Sequence, residues 1–150
     1  MSDTKDNSIN GTVEIARSPH EVFGYIADPV RIPEWQPDVR TAAFDDQGGV
    51  GVGTRGREVR HVMGSDRSFT WEVTEYSPDR RYGVRGLGGP VRAHVTMELS
   101  PSIHREGTQL RYGIQFEGHG VGRLIAPLAR KGARKDLSAT LDRLKRRLEE

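Results

Sequence analysis

A run of alternating apolar and polar residues between residues 39 and 118 limits the fold more than any other feature of the sequence. A period of two is typical of half-buried antiparallel strands, because successive side chains of a strand point to opposite faces. Turn residues interrupt the run as GSDRS, SPDR, GLGGP and SIHREGT. With one strand ahead of the run, we predict strands at 11–16, 39–46, 54–63, 69–76, 81–86, 91–99 and 109–117.

A long helix is predicted after the last strand, between residues 121 and 148. Its apolar residues fall on one drifting helical stripe: Leu124, Ile125, Leu128, Gly132, Leu137, Leu141, Leu144 and Leu148. A sheet with one apolar face needs such a cover, so we expect the helix to lie on it. Pro127 removes an N–H and Gly132 weakens the helix interior, which predicts a bend or break in the first half.

Two short helices are predicted ahead of this sheet, in RSPHEVFGYIADPVRIPEWQPDV at 17–39. Ser18 can cap a helix that starts at Pro19 and carries Glu21 at its third position, which is a capping box. Asp28-Pro29 ends this helix, and a second, single-turn helix carries Trp35. Trp35 is either a plug under the first helix or a wall of a cavity mouth.

Strand register decides which side chains share the covered face, since a slip of one residue turns every side chain over. For the hairpin around 64–68 we place Met63 opposite Phe69. This register pairs His61 with Trp71, Val59 with Val73 and Arg57 with Glu75 on the covered face, and Arg60 with Glu72 on the solvent face. In the last hairpin, the same reasoning pairs Met97 with Leu110, Val95 with Tyr112, Ala93 with Ile114 and Val91 with Phe116.

The composition excludes several classes of protein. A chain of 150 residues fits one domain, and without cysteine it has no disulfide, thiolate nucleophile or thiolate metal site. No apolar run approaches the roughly 18 residues of a membrane span, and the polar residues 1–10 are expected to form a disordered tail of a cytoplasmic protein. Nine basic residues crowd the last thirty; we interpret them as the solvated face of the helix, with nucleic acid or an anionic membrane surface as alternatives.

The motifs also resemble a known family. SPHEVFGYIADPVRIPEWQPDV, VGVGTRGREVRHVMG, FTWEVTEYSPDRR and GRLIAPLARKGARKDLSATLDRLKRRLEE are similar to the polyketide cyclase/dehydrase and lipid-transport group of the START-like (SRPBCC, helix-grip) superfamily. The resemblance implies an α+β helix-grip fold for residues 11–150: a curved antiparallel sheet, two short helices near the N-terminus and a long C-terminal helix over the concave face. It also implies a cavity between sheet and helix, one end of which the short helices close.

The sequence then predicts binding of a hydrophobic or aromatic small molecule, either lipid-like or polyketide-like. The alternative is a polyketide aromatase/cyclase or dehydratase, for which His61, Arg57 and Tyr112 are the candidate catalytic residues, because the ordinary pKa of histidine suits proton transfer near neutrality. Arg57 and Glu75 are alternatively a buried pair that satisfies itself. The candidate ligand-binding residues are Trp35, Arg57, Val59, His61, Met63, Phe69, Trp71, Glu75, Tyr82, Val95, Met97, Tyr112 and Phe116.

Neither a metal nor a cofactor is expected. The five histidines, at 20, 61, 94, 104 and 119, show no ligand spacing. GVGTRG at 51–56 fits the dinucleotide pattern G-x-G-x-x-G, but it runs into a strand where that pattern must open a helix, so we interpret its glycines as a turn or bulge. The sequence leaves the oligomeric state open.

Overall fold

A computed structural model describes residues 8–46, 48–104 and 106–150. Seven antiparallel strands form one sheet in the order β1-β7-β6-β5-β4-β3-β2. The strands are β1 Ile9–Ile15, β2 Val39–Phe44, β3 Arg55–Val62, β4 Ser65–Ser77, β5 Arg81–Leu87, β6 Val91–Pro101 and β7 Thr108–Gly118. The helices are α1 Pro19–Ile26, α2 Ile32–Trp35, preceded by a 3-10 turn Pro29–Arg31, and α3 Gly122–Glu149.

This architecture confirms the predicted helix-grip fold, with two short helices after the first strand and one long helix on the curved sheet. Residues 1–7 of the predicted tail lie outside the described residues, and its last two residues belong to β1, which begins at Ile9. Among the described residues, no helix combines the length and the apolar character needed to cross a membrane.

The capping box of α1 forms as predicted. The Ser18 hydroxyl accepts a hydrogen bond from the Glu21 amide at 3.1 Å, and the Glu21 carboxylate accepts one from the Ser18 amide at 3.3 Å. The cap fixes where the helix starts, and therefore which side chains face the sheet. Those are Val22, Phe23 and Ile26, all of them buried.

The predicted register of the β3–β4 hairpin is wrong. The strands are joined by a two-residue turn at Met63 and Gly64, whose φ angles of 53° and 84° are both positive, so that Val62 pairs with Ser65. Such turns match the natural twist of a hairpin, whereas the predicted loop at 64–68 was longer. The pairing is displaced by five residues from the expected one, and an odd displacement turns β3 over relative to β4.

Two smaller differences concern β4 and β7. A bulge between Val73 and Glu75 sends the Glu75 side chain to the outer face, where the prediction placed it inside. In the last hairpin Met97 pairs with Tyr112 instead of Leu110, a displacement of two residues that leaves both side chains on the covered face. The predicted faces of β6 and β7 are therefore right although the predicted partners are not.

Helix α3 packs against β1 and β7 and runs past Pro127 without a break, so of the predicted bend or break the break does not occur. Its second half covers the sheet with Leu141 and Leu144, as predicted. Its first half uses Gly122 and Ala126 instead, and the two leucines predicted for this stripe point to solvent. At Gly122 the backbones are so close that a Cβ would lie 1.7 Å from the carbonyl oxygen of Pro90.

Candidate functional site

The covered face carries a buried aromatic and aliphatic core. The two short helices supply Phe23 and Trp35 to it, and the strands supply Trp71, Tyr82 and Tyr112. The Phe23 ring meets the Tyr82 ring edge to face, with centroids 6.2 Å apart. Trp35 is fully buried and belongs to this core.

Toward the first half of α3, the apolar residues of the covered face are less completely buried. Val84, Val95, Ile114 and Phe116 all face inward there, but each remains half-buried. Phe69 of β4, also on this face, is partly exposed. An apolar strip of the sheet next to the core is therefore only partly covered by the chain's own side chains.

Two charged side chains of β3 point into this side of the sheet. Glu58 lies opposite Ala42 and Arg60 opposite Val39, and both of these β2 residues are buried. Arg60 Nε donates to Glu58 Oε2 at 2.9 Å, and a terminal nitrogen of Arg60 donates to Gln36 Oε1 at 3.0 Å. This side of the sheet thus holds a hydrogen-bonded carboxylate, guanidinium and amide, of which the guanidinium is partly exposed.

Sequence reasoning missed this group, because the assumed register placed Arg60 outside and gave Glu58 no role. The signal that could have found it is the Met63-Gly64 dipeptide. Gly64 accepts a positive φ without strain, and a two-residue turn there fixes the register that turns Glu58 and Arg60 inward.

Tyr112 shares this interior. Burial raises its pKa to about 12, and the nearby charges act in opposite directions, Arg60 lowering the pKa and Glu58 raising it. The phenol therefore stays protonated at neutral pH and can donate a hydrogen bond. Of the three candidate catalytic residues, Tyr112 alone lies on the covered face.

Three buried N–H groups have no acceptor among the described residues: Trp35 Nε1, Trp71 Nε1 and Arg130 Nε. Arg130 extends from α3 toward the sheet, where its terminal nitrogen donates to the Phe116 carbonyl at 3.3 Å. Trp71 lies across β3, with its ring where a Cβ of Gly56 would be. Buried polar groups usually have a hydrogen-bond partner. These three N–H groups have none among the described residues, so each is open to an acceptor from a bound molecule.

The other predicted site residues of β3 and β4 lie on the outer face. Arg57 pairs with Asp45 at 3.0 Å, and His61 bonds to Asp66 at 2.9 Å, which lowers the pKa of that carboxyl. Glu75 accepts from Arg81 at 2.6 Å. Val59 shares the outer face with Arg57 and His61, and Met63 is exposed in the turn. The predicted inward pairing of Arg57 with Glu75 is therefore wrong.

Two shallow depressions also lie on the outer face. One, of about 320 Å³, is lined mainly by outward residues of β2, β3 and β4, among them Arg57 and Val59. The other, of about 200 Å³, crosses β1, β7, β6 and β5 and is lined by Arg81, Glu98 and Arg111. Both are outside the space between the sheet and α3. Within the described residues, no cluster of His, Asp or Glu is arranged to hold a metal ion.

Comparison with known proteins gives a match over nearly the whole chain. The family model described as polyketide cyclase / dehydrase and lipid transport matches residues 7–149. No curated protein matches.

Solved structures share the fold at low identity. The Zhui aromatase/cyclase from Streptomyces sp. R1128 is 16% identical, with a TM-score of 0.78 over 95% of this chain and 93% of that one. A START superfamily protein from Mycobacterium smegmatis is 18% identical, with a TM-score of 0.75 over 95% of this chain and 97% of that one. A protein from Thermus thermophilus is 21% identical, with a TM-score of 0.74 over 94% and 96% of the two chains.

Proposed function

Because the chain belongs to the polyketide cyclase/dehydrase and lipid-transport family, we propose that it binds a hydrophobic or aromatic small molecule between the inner face of the sheet and α3. The observation that carries the proposal is the set of buried N–H donors without an acceptor. A buried donor that lacks a partner costs about 1–3 kcal/mol of free energy. A ligand oxygen that accepts a hydrogen bond from it recovers this cost, which favours binding. We also propose that the protein is cytoplasmic, as predicted from its sequence.

The ligand chemistry follows from the two kinds of surface on this face. The half-buried strip of Val84, Val95 and Ile114 offers contact to an apolar or aromatic body. Trp71 and Arg130 offer N–H groups to a carbonyl, phenol or carboxylate oxygen on that body. We therefore expect an apolar molecule that carries oxygen acceptors to bind better than a pure hydrocarbon.

A matched pair of probes tests this expectation. 2-Acetylnaphthalene and 2-ethylnaphthalene have similar shapes, and only the ketone can accept a hydrogen bond. Trp35 and Trp71 are the two tryptophans of the chain, both buried, so their fluorescence reports binding directly. We expect the ketone to bind about tenfold more tightly, the equivalent of one hydrogen bond.

The control variant is Trp71→Phe, which keeps an aromatic ring but removes the indole N–H. It should reduce the preference for the ketone while leaving the affinity for 2-ethylnaphthalene nearly unchanged. If neither probe binds, and native mass spectrometry of the purified protein finds no bound small molecule, the binding proposal fails.

A second candidate function, a polyketide aromatase/cyclase or dehydratase, is favoured by one observation. Glu58 and Arg60 lie close enough to Tyr112 to shift its pKa in opposite directions. In a cyclisation, Glu58 would take a proton from the carbon between two ketones, and Arg60 would stabilise the enolate charge. Tyr112, protonated at neutral pH, would donate a hydrogen bond to the carbonyl oxygen under attack.

Turnover of a poly-β-ketone analogue tests this second candidate. Glu58→Gln and Tyr112→Phe should each lower the rate by about 10²-fold or more if these groups transfer or donate the proton. His61→Ala is the matched control, because His61 lies on the outer face and should leave the rate unchanged. A wild-type protein that binds the analogue without converting it would exclude the enzyme and keep the binding module.

A further inference from the structure

The first half of α3 and Val121, the residue just before it, carry apolar side chains that face solvent. Val121, Leu124 and Leu128 are 69%, 81% and 65% exposed. Their spacing of three and four residues places them on one face of the helix. We call these three residues the α3 ridge.

The ridge exposes large apolar residues where a surface helix normally exposes polar ones. Amphipathic helices bury their large apolar residues and expose polar ones. Here Gly122 and Ala126 are the buried residues of the first half, and the leucines face away from the sheet. Single exposed apolar residues need no explanation, but a contiguous line of them is typical of an interaction surface.

The charge around the ridge has one sign. Residues 121–135 contain five basic residues and no acidic one. Four of these are exposed and flank the ridge: Arg123, Lys131, Arg134 and Lys135. The fifth, Arg130, turns toward the sheet. An apolar line with a basic border is the pattern of a helix that lies in the interface of an anionic bilayer.

We propose that the α3 ridge docks the domain on the surface of an anionic lipid bilayer, with the leucines inserted at the level of the headgroups and the basic side chains on lipid phosphates or carboxylates. A second copy of the chain fits this surface less well. In a twofold contact the same basic border would face itself, and like charges across an interface oppose association. Three apolar side chains also offer little of the area that stable protein interfaces bury.

The proposal does not depend on the identity of the bound molecule. A membrane-docked domain that only carries a ligand and one that converts it would show the same surface behaviour. Docking would bring α3, which covers the candidate site, to the bilayer where hydrophobic molecules are stored.

Flotation with vesicles tests the docking. We expect the purified protein to float with phosphatidylcholine vesicles that contain about 30% phosphatidylserine and to stay behind with pure phosphatidylcholine vesicles. Binding should weaken as the salt concentration rises from about 0.05 M to about 0.5 M. Each basic side chain near the surface contributes roughly a factor of five, so Lys131→Gln with Lys135→Gln should lower binding by at least about tenfold.

Matched double variants show whether vesicle binding depends on the ridge itself or on any exposed apolar residue and any positive charge. Leu124→Gln with Leu128→Gln should lower binding by at least about tenfold, because acyl contact is lost. Val52→Gln with Ile103→Gln removes two exposed apolar residues elsewhere, and Arg55→Gln with Arg146→Gln removes two exposed charges elsewhere. Both control variants should keep binding near the wild-type level.

A site-specific probe completes the test. The chain has no cysteine, so Leu124→Cys can be labelled with an environment-sensitive dye, and its emission should shift to the blue on anionic vesicles. The same dye on Ile103→Cys should not shift. The proposal is overturned if no binding to anionic vesicles occurs at low salt, if the leucine double variant binds as well as the wild type, or if that variant instead dissolves a dimer detected by sedimentation.

Discussion

Removing the negative charge of Glu58 should reveal that the β3 ion pair is inside the molecule. The Glu58 side chain is 12% exposed and its partner Arg60 is 32% exposed, with 2.9 Å between Oε2 and Nε. In Glu58→Gln, Arg60 keeps its bond to Gln36 but loses its counter-charge. Breaking a fully buried pair costs about 3–5 kcal/mol and an exposed one about 0–1 kcal/mol. Because Arg60 is one third exposed, we expect a loss of about 1–3 kcal/mol of unfolding free energy.

Glu75→Gln is the matched control. Glu75 is paired with Arg81 at the shorter distance of 2.6 Å, but the two side chains are 35% and 47% exposed. Arg81 also keeps a second carboxylate, Glu98, at 2.7 Å. Burial and not distance should decide the outcome, so this variant should lose at most about 1 kcal/mol.

Urea unfolding at neutral pH, followed by tryptophan fluorescence, compares the two variants directly. A double-mutant cycle with Arg60→Gln then shows whether the loss comes from a stranded charge, in which case the double variant should be no less stable than Glu58→Gln alone. An equal loss of unfolding free energy in Glu58→Gln and Glu75→Gln, or a larger loss in Glu75→Gln, would refute the inward placement of the Glu58 and Arg60 side chains. It would also refute the proposed polar group of the site.

Three further predictions rest on local geometry. Gly56→Ala would place a Cβ 2.2 Å from the Trp71 ring, so we expect a loss of about 1–3 kcal/mol and a changed fluorescence spectrum. Gly122→Ala would clash with a backbone carbonyl of the β5–β6 turn and should lower the melting temperature. Gly132→Ala meets open space and should raise the melting temperature slightly, because the unfolding free energy rises by up to about 1 kcal/mol. Burial raises the pKa of Tyr112 from 10.0 to about 12, so this tyrosine stabilises the fold fully below pH 10 and its contribution is lost as the pH rises toward 12. Tyr112→Phe should make the measured fall in stability over that window less steep by up to about 1.4 kcal/mol per pH unit, and an unchanged slope would contradict the assignment.

The strands were predictable because a period of two survives in most of them. The predicted ranges and the observed ones agree within a few residues for β2, β3 and β5. The capping box at Ser18 and Glu21 fixed the start of α1 in the same way, since both partners are within four residues of each other. Local chemistry was enough wherever the structure depends on neighbours in sequence.

The site was predicted less well, because it depends on register. We assumed that Met63 and Phe69 would both be covered, whereas the tight turn leaves Met63 exposed. A polar residue in an alternating strand is normally on the solvent face, so nothing in the pattern marks Glu58 and Arg60 as inward. The leucines in the first half of α3 were predicted to be covered but are exposed. Their helical spacing is the same whether the stripe faces a sheet or another surface, so the sequence pattern does not distinguish the two cases.

The neighbourhood of β1 and β7 has a consequence for how the chain is made. Ile15 pairs with Thr108, and the Ala16 amide donates to the Glu149 carboxylate at 2.8 Å, so the first strand closes against the last strand and the last turn of α3. While the ribosome is still extending the chain, the central hairpins can form from neighbours that have already emerged. The first strand has no strand partner until β7 has left the ribosome. β1 therefore pairs late in the synthesis of this domain, and until then a nascent β1 with an unpaired edge is the segment that chaperones would have to protect.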